Sequence, residues 1–497
     1  MAGKRKKTHW AARRKTKQAR RDGQPDDAEP RPDRRAERSD AVHPGSYAAQ
    51  RQRQHPTDAA DKPALSLPTK RRYGLWVAFC GKNYSGMQMN EGVKTIEAEL
   101  ERALFEAGGI AESNYGFLQK IGWSRAARTD KGVHAAGQLL TAKLHVGEDA
   151  DIPAFVGKVN AALPEDIRVM HMVTVTKNFN AKMTCDQRTY EYLAPTFIFA
   201  KRARAAAIKE SEKTEEKGDA ATAQWPSDLR DSEEGFDDNV VIDNTTLEAH
   251  KAFRLSDETL EKLNATLKEY VGTHNFHNFT SKMEPTNPQA KRFIISFEAE
   301  RPFVQNDMEW VRLRVVGQSF LLHHIRKMIG TAVEIVSGVT DPSTIERAMQ
   351  LTKMDLPKAP SVGLYLAQAH FEVYNLKMAE SIQTSHPPLD LKEPAVAAAV
   401  ELFKRDFIFD HIMKHEERTR TYAKWLRTME VLPFDYVAKP YLEWKKEKEE
   451  EAERTDRAGR RELAKAARAE VAAQANNPSE VPATKEVAKT EEESTAS

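Results

Sequence analysis

Apolar residues are concentrated in two stretches of this chain, about residues 73–200 and 250–375, and only these stretches can supply a hydrophobic core. In both, runs typical of β-strands alternate with runs of helical spacing. The strand-like run Tyr73–Cys80 precedes a helical run that starts at Ile96, and the helical run Ser256–Val271 precedes the strand-like run Phe293–Phe297. Strand and helix segments alternating in this way predict two α+β units side by side.

Charged segments flank and separate these two predicted halves, which we place at residues 71–200 and 250–376. The remaining segments are poor in apolar residues, except for a third stretch of helical pattern that carries Trp425. We expect Trp425 to pack on the core, with contact to RNA as the alternative. The predicted segments are a disordered basic arm at 1–70, an acidic surface insertion at 201–249, a helical extension at 377–444 and a charged tail at 445–497.

The net charge of +2 conceals a strong asymmetry along the chain. The basic run Lys4–Lys7 is typical of a nuclear-import signal or an RNA-attracting arm, with a disordered solubilising tail as the alternative. The two cysteines, Cys80 and Cys185, form no disulfide framework and fit a reducing compartment. No apolar run approaches the roughly 18 residues that span a bilayer. We therefore predict a nuclear protein without a membrane segment, with a cytosolic or mitochondrial location as alternatives.

One short segment, Arg128–Gln138, combines an acid and bases on a turn that contains Gly132. It leads into an apolar run, Gln138–Leu144, that predicts a supporting strand. An aspartate in such a turn, here Asp130, is exposed and available for chemistry. The structural alternative is a turn in which the carboxylate only bonds the local backbone.

This segment, read as ARTDKGVHAAGQ, resembles the catalytic signature of the TruA-type tRNA pseudouridine synthases, and Lys131 is the variant found in eukaryotic nuclear members. Further resemblance lies in three segments, Cys185–Tyr192, Thr273–Ser281 and Gly317–Gly330. The resemblance covers residues 73–375. It implies two ferredoxin-like halves that form one continuous mixed or antiparallel sheet, flanked by helices, with a central RNA-binding cleft.

The resemblance also implies a reaction, the isomerisation of specific uridines to pseudouridine in tRNA, in and near the anticodon stem-loop. Some eukaryotic relatives also act on small nuclear RNA and messenger RNA. By this resemblance Asp130 is the nucleophile and Arg326 its ion-pair partner, while Arg128 contacts the RNA backbone or fills the space left by the flipped base. Tyr190 stacks on the target uracil and takes part in proton removal, whereas Tyr192 is left in the core. Nothing is oxidised and no group is donated, so no cofactor is required.

Other interpretations remain open at this stage. Zinc has been associated with eukaryotic members, but the adjacent His323 and His324 would point apart on a helix, and no spacing completes a ligand set. His274 and His277 are candidates for RNA contacts or structural hydrogen bonds. A catalytically silent tRNA-binding or chaperone protein is the alternative function, although a binder does not need the carboxylate of Asp130. A scaffold that acts through its tails is a third. We expect a monomer whose C-terminal helices cover the surface that bacterial relatives use to dimerise.

Overall fold

The computed structural model of this chain describes residues 68–147, 151–202, 240–381, 386–432, 434 and 436–457. All of them fall within the structural unit Lys62–Ser497. Nearly all of the predicted basic arm, most of the predicted insertion and most of the predicted charged tail lie outside the described residues. Among the helices that are described, none is long and apolar enough to cross a membrane.

The described strands are β1 (Arg71–Phe79), β2 (Ser124–Arg125), β3 (His134–Leu144), β4 (Ile167–Thr174), β5 (Gln187–Pro195), β6 (Gly272–Asn275), β7 (Lys291–Ala299), β8 (Phe303–Gln305), β9 (Met308–Gly317), β10 (Thr352–Lys353), β11 (Leu364–His370) and β12 (Lys439–Pro440).

The described α-helices are α1 (Ile96–Glu106), α2 (Ile152–Ala162), α3 (Ala181–Thr184), α4 (Asn244–Ala252), α5 (Asp257–Lys268), α6 (His324–Val336), α7 (Ser343–Met349), α8 (Glu372–Ala379), α9 (Pro394–Phe403), α10 (Asp410–Thr419) and α11 (Thr421–Val431). A π-helical turn, Lys404–Phe409, joins α9 to α10. Residues 441–457 are also helical. Single 3-10 turns lie at Gly81–Asn83, Glu112–Asn114, Thr196–Phe199, His277–Phe279 and Pro288–Ala290.

Ten of these strands form one sheet, in the order β4-β1-β3-β11-β5-β9-β7-β6, with β2 beside β3 and β8 beside β9. Strands β3 and β11 are parallel, whereas β5 pairs antiparallel with both β11 and β9. Strand β11 belongs to the second predicted half but lies between two strands of the first. The predicted α+β class with one continuous mixed sheet is therefore confirmed, and the chain crosses between its two halves at the centre of that sheet.

Helices pack on this sheet through the faces that the sequence pattern indicates. In α1, Ile96 and Leu100 are buried at helical spacing. In α5, Leu263 is buried, and the side chain of Ser256 accepts a hydrogen bond from the backbone N of Thr259 at the helix N-terminus. A serine in this position stabilises a helix by about 1 kcal/mol, and each fully buried leucine contributes about 2 kcal/mol. Local pattern and tertiary packing therefore agree in these helices.

Strand β3 begins at His134, four residues before the predicted start at Gln138. His134 pairs with Tyr365 of β11 and Ala135 pairs with Phe79 of β1, so the earlier start depends on strands distant in the sequence. Gly137 permits the close approach, because a Cβ atom there would lie 2.5 Å from the backbone oxygen of Ala367. A local pattern does not contain this long-range pairing, which is why it placed the boundary late.

The run Ser361–Val373 has the apolar pattern of a strand, but the observed β11 is shorter, and α8 already begins at Glu372. Phe371 is buried and lies edge-on against Trp76, with 5.9 Å between ring centroids. The backbone N of Val373 donates to the carboxylate of Asp186 over 3.0 Å, so α8 is capped from another segment. These tertiary contacts end the strand earlier than its apolar pattern predicts.

The predicted C-terminal extension is helical, as expected, and packs on the sheet through α9 to α11. Trp425 is 1 % exposed, which confirms that it lies in the core. The hydroxyl of Tyr422 donates to the backbone oxygen of Leu193 over 2.7 Å. Phe409 contacts Tyr365 of β11 at 5.8 Å between ring centroids. The extension therefore covers β5 and β11 at the centre of the sheet.

Candidate active site

The loop between β2 and β3 carries Asp130, and it is bonded to the earlier loop that contains Gly86 and Met87. The backbone N of Met87 donates to the oxygen of Thr129 over 3.3 Å, and the N of Val133 donates to the oxygen of Asp130 over 3.2 Å. Gly86 lies directly under this turn, with φ of +87° and an ideal Cβ position 3.0 Å from the oxygen of Thr129. Only glycine adopts that conformation without strain. The Asp130 turn is thus fixed by backbone contacts on two sides.

A buried glutamine fixes the entry to the same loop. Gln138 points back from β3, and its Oε1 accepts from the N of Ala127 over 3.1 Å while its Nε2 donates to the oxygen of Ala127 over 2.9 Å. Nε2 also lies 3.1 Å from the sulfur of Met87. The side-chain amide of Gln138 therefore makes the two hydrogen bonds with Ala127 that a neighbouring strand would otherwise make. From the sequence alone Gln138 was predicted only as the start of a strand, and this anchoring contact was missed.

Tyr190 lies on β5, in the strand order two positions away from β3. Its ring is 7 % exposed and meets Phe320 edge-on, with 5.2 Å between centroids. Burial raises the pKa of its phenol well above the usual value, the nearby Asp130 carboxylate raises it further, and Arg188 opposes the rise. The Asp130 carboxylate is thus near enough to influence the Tyr190 phenol, and a shared catalytic site for the two residues stays a prediction. Tyr192, on the same face, is fully buried and donates its hydroxyl to the oxygen of Pro360 over 2.9 Å, so it lies in the core as expected.

Arg326 projects from α6 and is fully buried. Its Nε donates to the oxygen of Ala359 over 2.7 Å, and the N of Ala359 donates back to the oxygen of Arg326 over 3.0 Å. Three residues later, the oxygen of Val362 lies 3.0 Å from Nε2 of His134 at the start of β3. The short segment 359–362 thus links Arg326 to the strand that follows the Asp130 loop. Direct pairing of Arg326 with Asp130 stays a prediction.

Arg128 and Asp130, the two signature side chains, differ in their exposure to solvent. Asp130 is half-buried, while Arg128 is exposed. An exposed guanidinium is available to RNA, and a partly desolvated carboxylate interacts more strongly with neighbouring charges than one in bulk water. The roles of Arg128 and Asp130 in a reaction stay predictions.

The adjacent histidines are arranged differently from the predicted pair on one helix. His323 precedes α6 with φ of +59°, and only His324 is helical. Burial lowers the pKa of His323 to about 3, and the cations Lys358, Arg326 and Lys327 lower it further. Burial likewise lowers the pKa of His324 to about 3. Both rings are therefore neutral near pH 7. In the part of the chain that is described, no group of three or more His, Cys, Asp or Glu side chains is placed to hold a metal ion.

The histidines of the Thr273–Ser281 segment have structural partners. Nε2 of His274 bonds the oxygen of Val271 over 2.9 Å, and Nε2 of His277 bonds the oxygen of Thr352 over 2.6 Å. Phe276 in the same segment is fully buried. Of the two interpretations left open, these contacts support structural hydrogen bonds.

Phe320 and Arg188 are further site residues that the sequence analysis did not assign. Both lie in segments quoted for their family resemblance, so the signal that could have found them was an aromatic residue just after Gly317 and an arginine two positions before Tyr190. Residues two apart on a strand share a face. This spacing places Arg188 beside Tyr190. The spacing and the family motif do not identify the atoms that Arg188 bonds.

Comparisons with known proteins agree with this geometry. A family model described as tRNA pseudouridine synthase matches residues 266–372, a span that includes Arg326. The Pseudouridylate synthase 1 homolog of Mus musculus is 38% identical over 381 residues, which are 76% of this chain and 78% of the mouse protein. The protein of the same name in Homo sapiens is 39% identical over 369 residues, 73% of this chain and 74% of the human protein. A tRNA pseudouridine synthase 1 of Candida glabrata is 34% identical over 433 residues, 77% of this chain and 76% of that protein.

Similarity at this level extends over most of each compared chain, well beyond the length of the matched family segment. The mixed sheet, the Asp130 loop, the buried Tyr190 and the buried Arg326 agree with it. This chain belongs to the TruA-type tRNA pseudouridine synthase family and is an isomerase.

Proposed function

We propose that this chain converts specific uridines of tRNA, in and near the anticodon stem-loop, into pseudouridine. The observation that carries the proposal is the proximity of a half-buried carboxylate, Asp130, to the buried ring of Tyr190. A nucleophile beside an aromatic surface is what the reaction needs, because the uracil must be detached, held while it rotates, and rejoined through carbon. The name of the Candida glabrata relative, tRNA pseudouridine synthase 1, supports tRNA as the substrate.

In this proposal Asp130 attacks the target nucleotide and Arg326 holds its carboxylate ionised and oriented. A buried guanidinium that already bonds a backbone oxygen is rigidly placed for this, and an opposite charge nearby favours the anionic carboxylate. Arg128, exposed two residues before Asp130, contacts the RNA backbone and occupies the space left by the extruded base. The bond between ribose and uracil N1 breaks, and a bond between ribose and uracil C5 forms.

Tyr190 stacks on the detached uracil and takes part in removing the C5 proton. Its raised pKa keeps the phenol protonated near pH 7, so a free phenolate is not the base. We propose instead a relay through the hydroxyl. Once the new carbon–carbon bond has formed and the Asp130 carboxylate has left the nucleotide, the hydroxyl of Tyr190 receives the C5 proton and passes its own proton to that carboxylate. The proton finally returns to uracil N1, so the product is an isomer of the substrate.

We propose that no cofactor takes part. The reaction exchanges one carbon–nitrogen bond for a carbon–carbon bond within a single nucleotide, and every proton that leaves is returned. Zinc is not part of this proposal, because His323 and His324 diverge where α6 begins and His324 is enclosed beside Phe276, at 4.3 Å between ring centroids.

We further propose a nuclear monomer that also accepts uridines of small nuclear RNA and messenger RNA. The basic run Lys4–Lys7 supports nuclear import. The C-terminal extension supports the monomer, because it covers the central strands of the sheet. Nζ of Lys404 lies 3.8 Å from a carboxylate oxygen of Glu191 on β5, and the ring of Phe409 packs on Tyr365 of β11.

The experiment is site-resolved pseudouridine mapping on unmodified tRNA transcripts incubated with the full chain and a metal chelator, without added cofactor. Parallel reactions contain small nuclear RNA and messenger RNA fragments. We expect pseudouridine at a few uridines in and near the anticodon stem-loop. Binding of tRNA with no pseudouridine in any RNA, both with the chelator and in matched reactions that contain added zinc and no chelator, would contradict the proposal and favour the catalytically silent tRNA-binding alternative.

A further inference from the structure

One arginine connects the two loops that carry the site. Nε and Nη2 of Arg188 donate to the oxygen of Ala126 over 3.2 and 2.8 Å, and Nη1 donates to the oxygen of Gln318 over 2.5 Å. Ala126 and Gln318 lie in different halves of the chain, so this single guanidinium bridges them.

At one side of the bridge, Arg188 bonds Ala126, the residue from which the chain enters the Asp130 loop. The N of Ala126 donates to the oxygen of Leu139 over 2.9 Å, which is the last strand-like bond before the loop. Its oxygen faces away from β3 and is taken by Arg188. The carboxylate-bearing residue follows four positions later, so a displacement of Ala126 is transmitted directly to Asp130.

The Gln318 end controls the segment that leads to Arg326. Gln318 is the first residue after β9, and its N donates to the oxygen of Phe293 over 3.2 Å. The preceding Gly317 pairs with Arg188 itself, and a Cβ atom on it would lie 2.9 Å from the ring of Phe320. The chain thus turns tightly here, which brings Phe320 onto Tyr190 before α6 begins.

Arginine chemistry fits this bridge better than lysine chemistry does. A guanidinium presents five N–H donors in a rigid planar fork, whereas an ammonium is a compact point charge on a flexible stem. Two carbonyl oxygens from separate segments can therefore be held at a fixed separation by one arginine. Arg188 also lies next to Tyr190 on the same face of β5.

We propose that Arg188 is a positioning residue, which sets the distance between the Asp130 loop and the segment leading to Phe320 and Arg326 by bridging the oxygens of Ala126 and Gln318. The inference rests on the catalytic roles proposed above. Arg188 touches neither bond that changes in the reaction. It acts by keeping nucleophile, stacking ring and partner cation in register, and misplacement of such groups by about 1 Å can reduce a rate roughly 100-fold.

The test compares Arg188→Lys with Arg72→Lys in the full chain. Arg72 is a matched control, because its Nη1 also bridges two backbone oxygens, those of Gly122 and Phe179, over 3.1 and 3.0 Å. It pairs with Lys143, four residues along β3 from Leu139, which accepts the hydrogen bond of the Ala126 N, and it therefore lies about 13 Å from the Ala126 end of the bridge. For both variants one measures the melting temperature, the Kd for tRNA and the single-turnover rate of pseudouridine formation.

We expect Arg188→Lys to lower the single-turnover rate at least about tenfold with a Kd within about threefold of wild type. Arg72→Lys should lower the melting temperature only. If the lysine variant does not fold, Arg188→Gln, which keeps one amide donor, replaces it with the same expectation. A wild-type rate, a loss confined to Kd, or an equal rate loss in Arg72→Lys would overturn the proposal.

Asp130→Asn, measured in parallel, separates the two levels of the account. If Asp130→Asn is inactive and Arg188→Lys is fully active, only the positioning role fails. If Asp130→Asn retains the wild-type rate, the proposed catalytic roles fail, and the positioning role fails with them.

Discussion

At the scale of single residues, two tyrosines on one face of β5 are separated by their surroundings. Tyr192 donates to the oxygen of Pro360 and is sealed in the core. Tyr190 retains 7 % exposure, meets Phe320 at its edge and is close enough to Asp130 for the carboxylate to raise its pKa. Tyrosine therefore packs in the core at position 192, whereas at position 190 it keeps some exposure to solvent.

This contrast yields a prediction for Tyr190→Phe. Phenylalanine keeps the ring that would stack on uracil but lacks the hydroxyl that would relay a proton. We expect tRNA binding to change less than about threefold and the single-turnover rate to fall by about 100- to 10,000-fold, the usual contribution of a positioned acid or base. The rate is measured by release of the uracil C5 proton from labelled tRNA.

Tyr192→Phe is the matched control for that experiment. It should cost about 1 kcal/mol in free energy of unfolding, from one buried hydrogen bond, and leave the rate unchanged. Full activity of Tyr190→Phe would remove its hydroxyl from the mechanism. Equal rate losses in both variants would mean that the effect is one of packing.

At the scale of structural elements, the Asp130 loop is held by side chains that imitate strand pairing. Gln138 is fully buried and bonds both backbone groups of Ala127, while the loop itself rests on Met87. The sequence motif predicted a loop before β3, which the structure confirms, while the role of its acid, Asp130, stays a prediction. The anchoring contacts were beyond it, because they depend on which residues of other segments come within bonding distance after folding.

Removing this anchor provides the second prediction. Gln138→Leu keeps a similar volume but leaves the N and the oxygen of Ala127 without the amide. We expect a loss of about 2 to 4 kcal/mol in free energy of unfolding, since each buried group left unsatisfied costs about 1 to 3 kcal/mol. Among molecules that remain folded, the rate should fall more than tRNA affinity does. Chemical denaturation and single-turnover kinetics measure the two effects, and unchanged stability would contradict the bonding described here.

The C-terminal extension provides a third prediction, through Glu416 at the junction of α10 and α11. Its carboxyl accepts hydrogen bonds from the N of Tyr422 over 2.8 Å and of Ala423 over 3.4 Å. Burial raises its pKa to about 8, despite these bonds. The folded state thus keeps the proton between about pH 4.5 and 8 while the unfolded state releases it. Stability that is present below pH 4.5 is therefore lost as the pH rises through this range, by up to about 1.4 kcal/mol per pH unit.

Glu416→Gln should remove this pH dependence, because the amide is neutral throughout. Denaturation at pH 6 and at pH 8.5 is the measurement. The wild type should lose more stability than the variant between the two values, and Glu417→Gln, on the exposed neighbour, should behave like the wild type. A wild type whose stability does not fall over this range would contradict the buried, protonated state of Glu416.

At the scale of the whole molecule, the site exists because strands of both halves meet in one sheet. The Asp130 loop precedes β3, Tyr190 lies on β5, and Arg326 follows β9, while β11 is inserted between β3 and β5. Sequence periodicity predicted two α+β units, and the continuous mixed sheet that the family resemblance implied is confirmed. The central insertion of β11 could not be predicted from spacing, because its pairing with His134 joins residues far apart in the chain.

We propose above that Asp130 is the nucleophile of this site. The decisive experiment is the single-turnover rate of pseudouridine formation in tRNA by Asp130→Asn, together with the Kd for the same tRNA. Asp151→Asn is the matched control, since Asp151 only caps α2 by accepting from the N of Ala154 over 3.0 Å, a role that asparagine also fills.

We expect Asp130→Asn to bind tRNA within about threefold of wild type and to form no detectable pseudouridine, while Asp151→Asn is fully active. Removal of an essential nucleophile commonly costs more than about 10,000-fold in rate. Pseudouridine formation by Asp130→Asn at a rate near that of wild type would contradict the account.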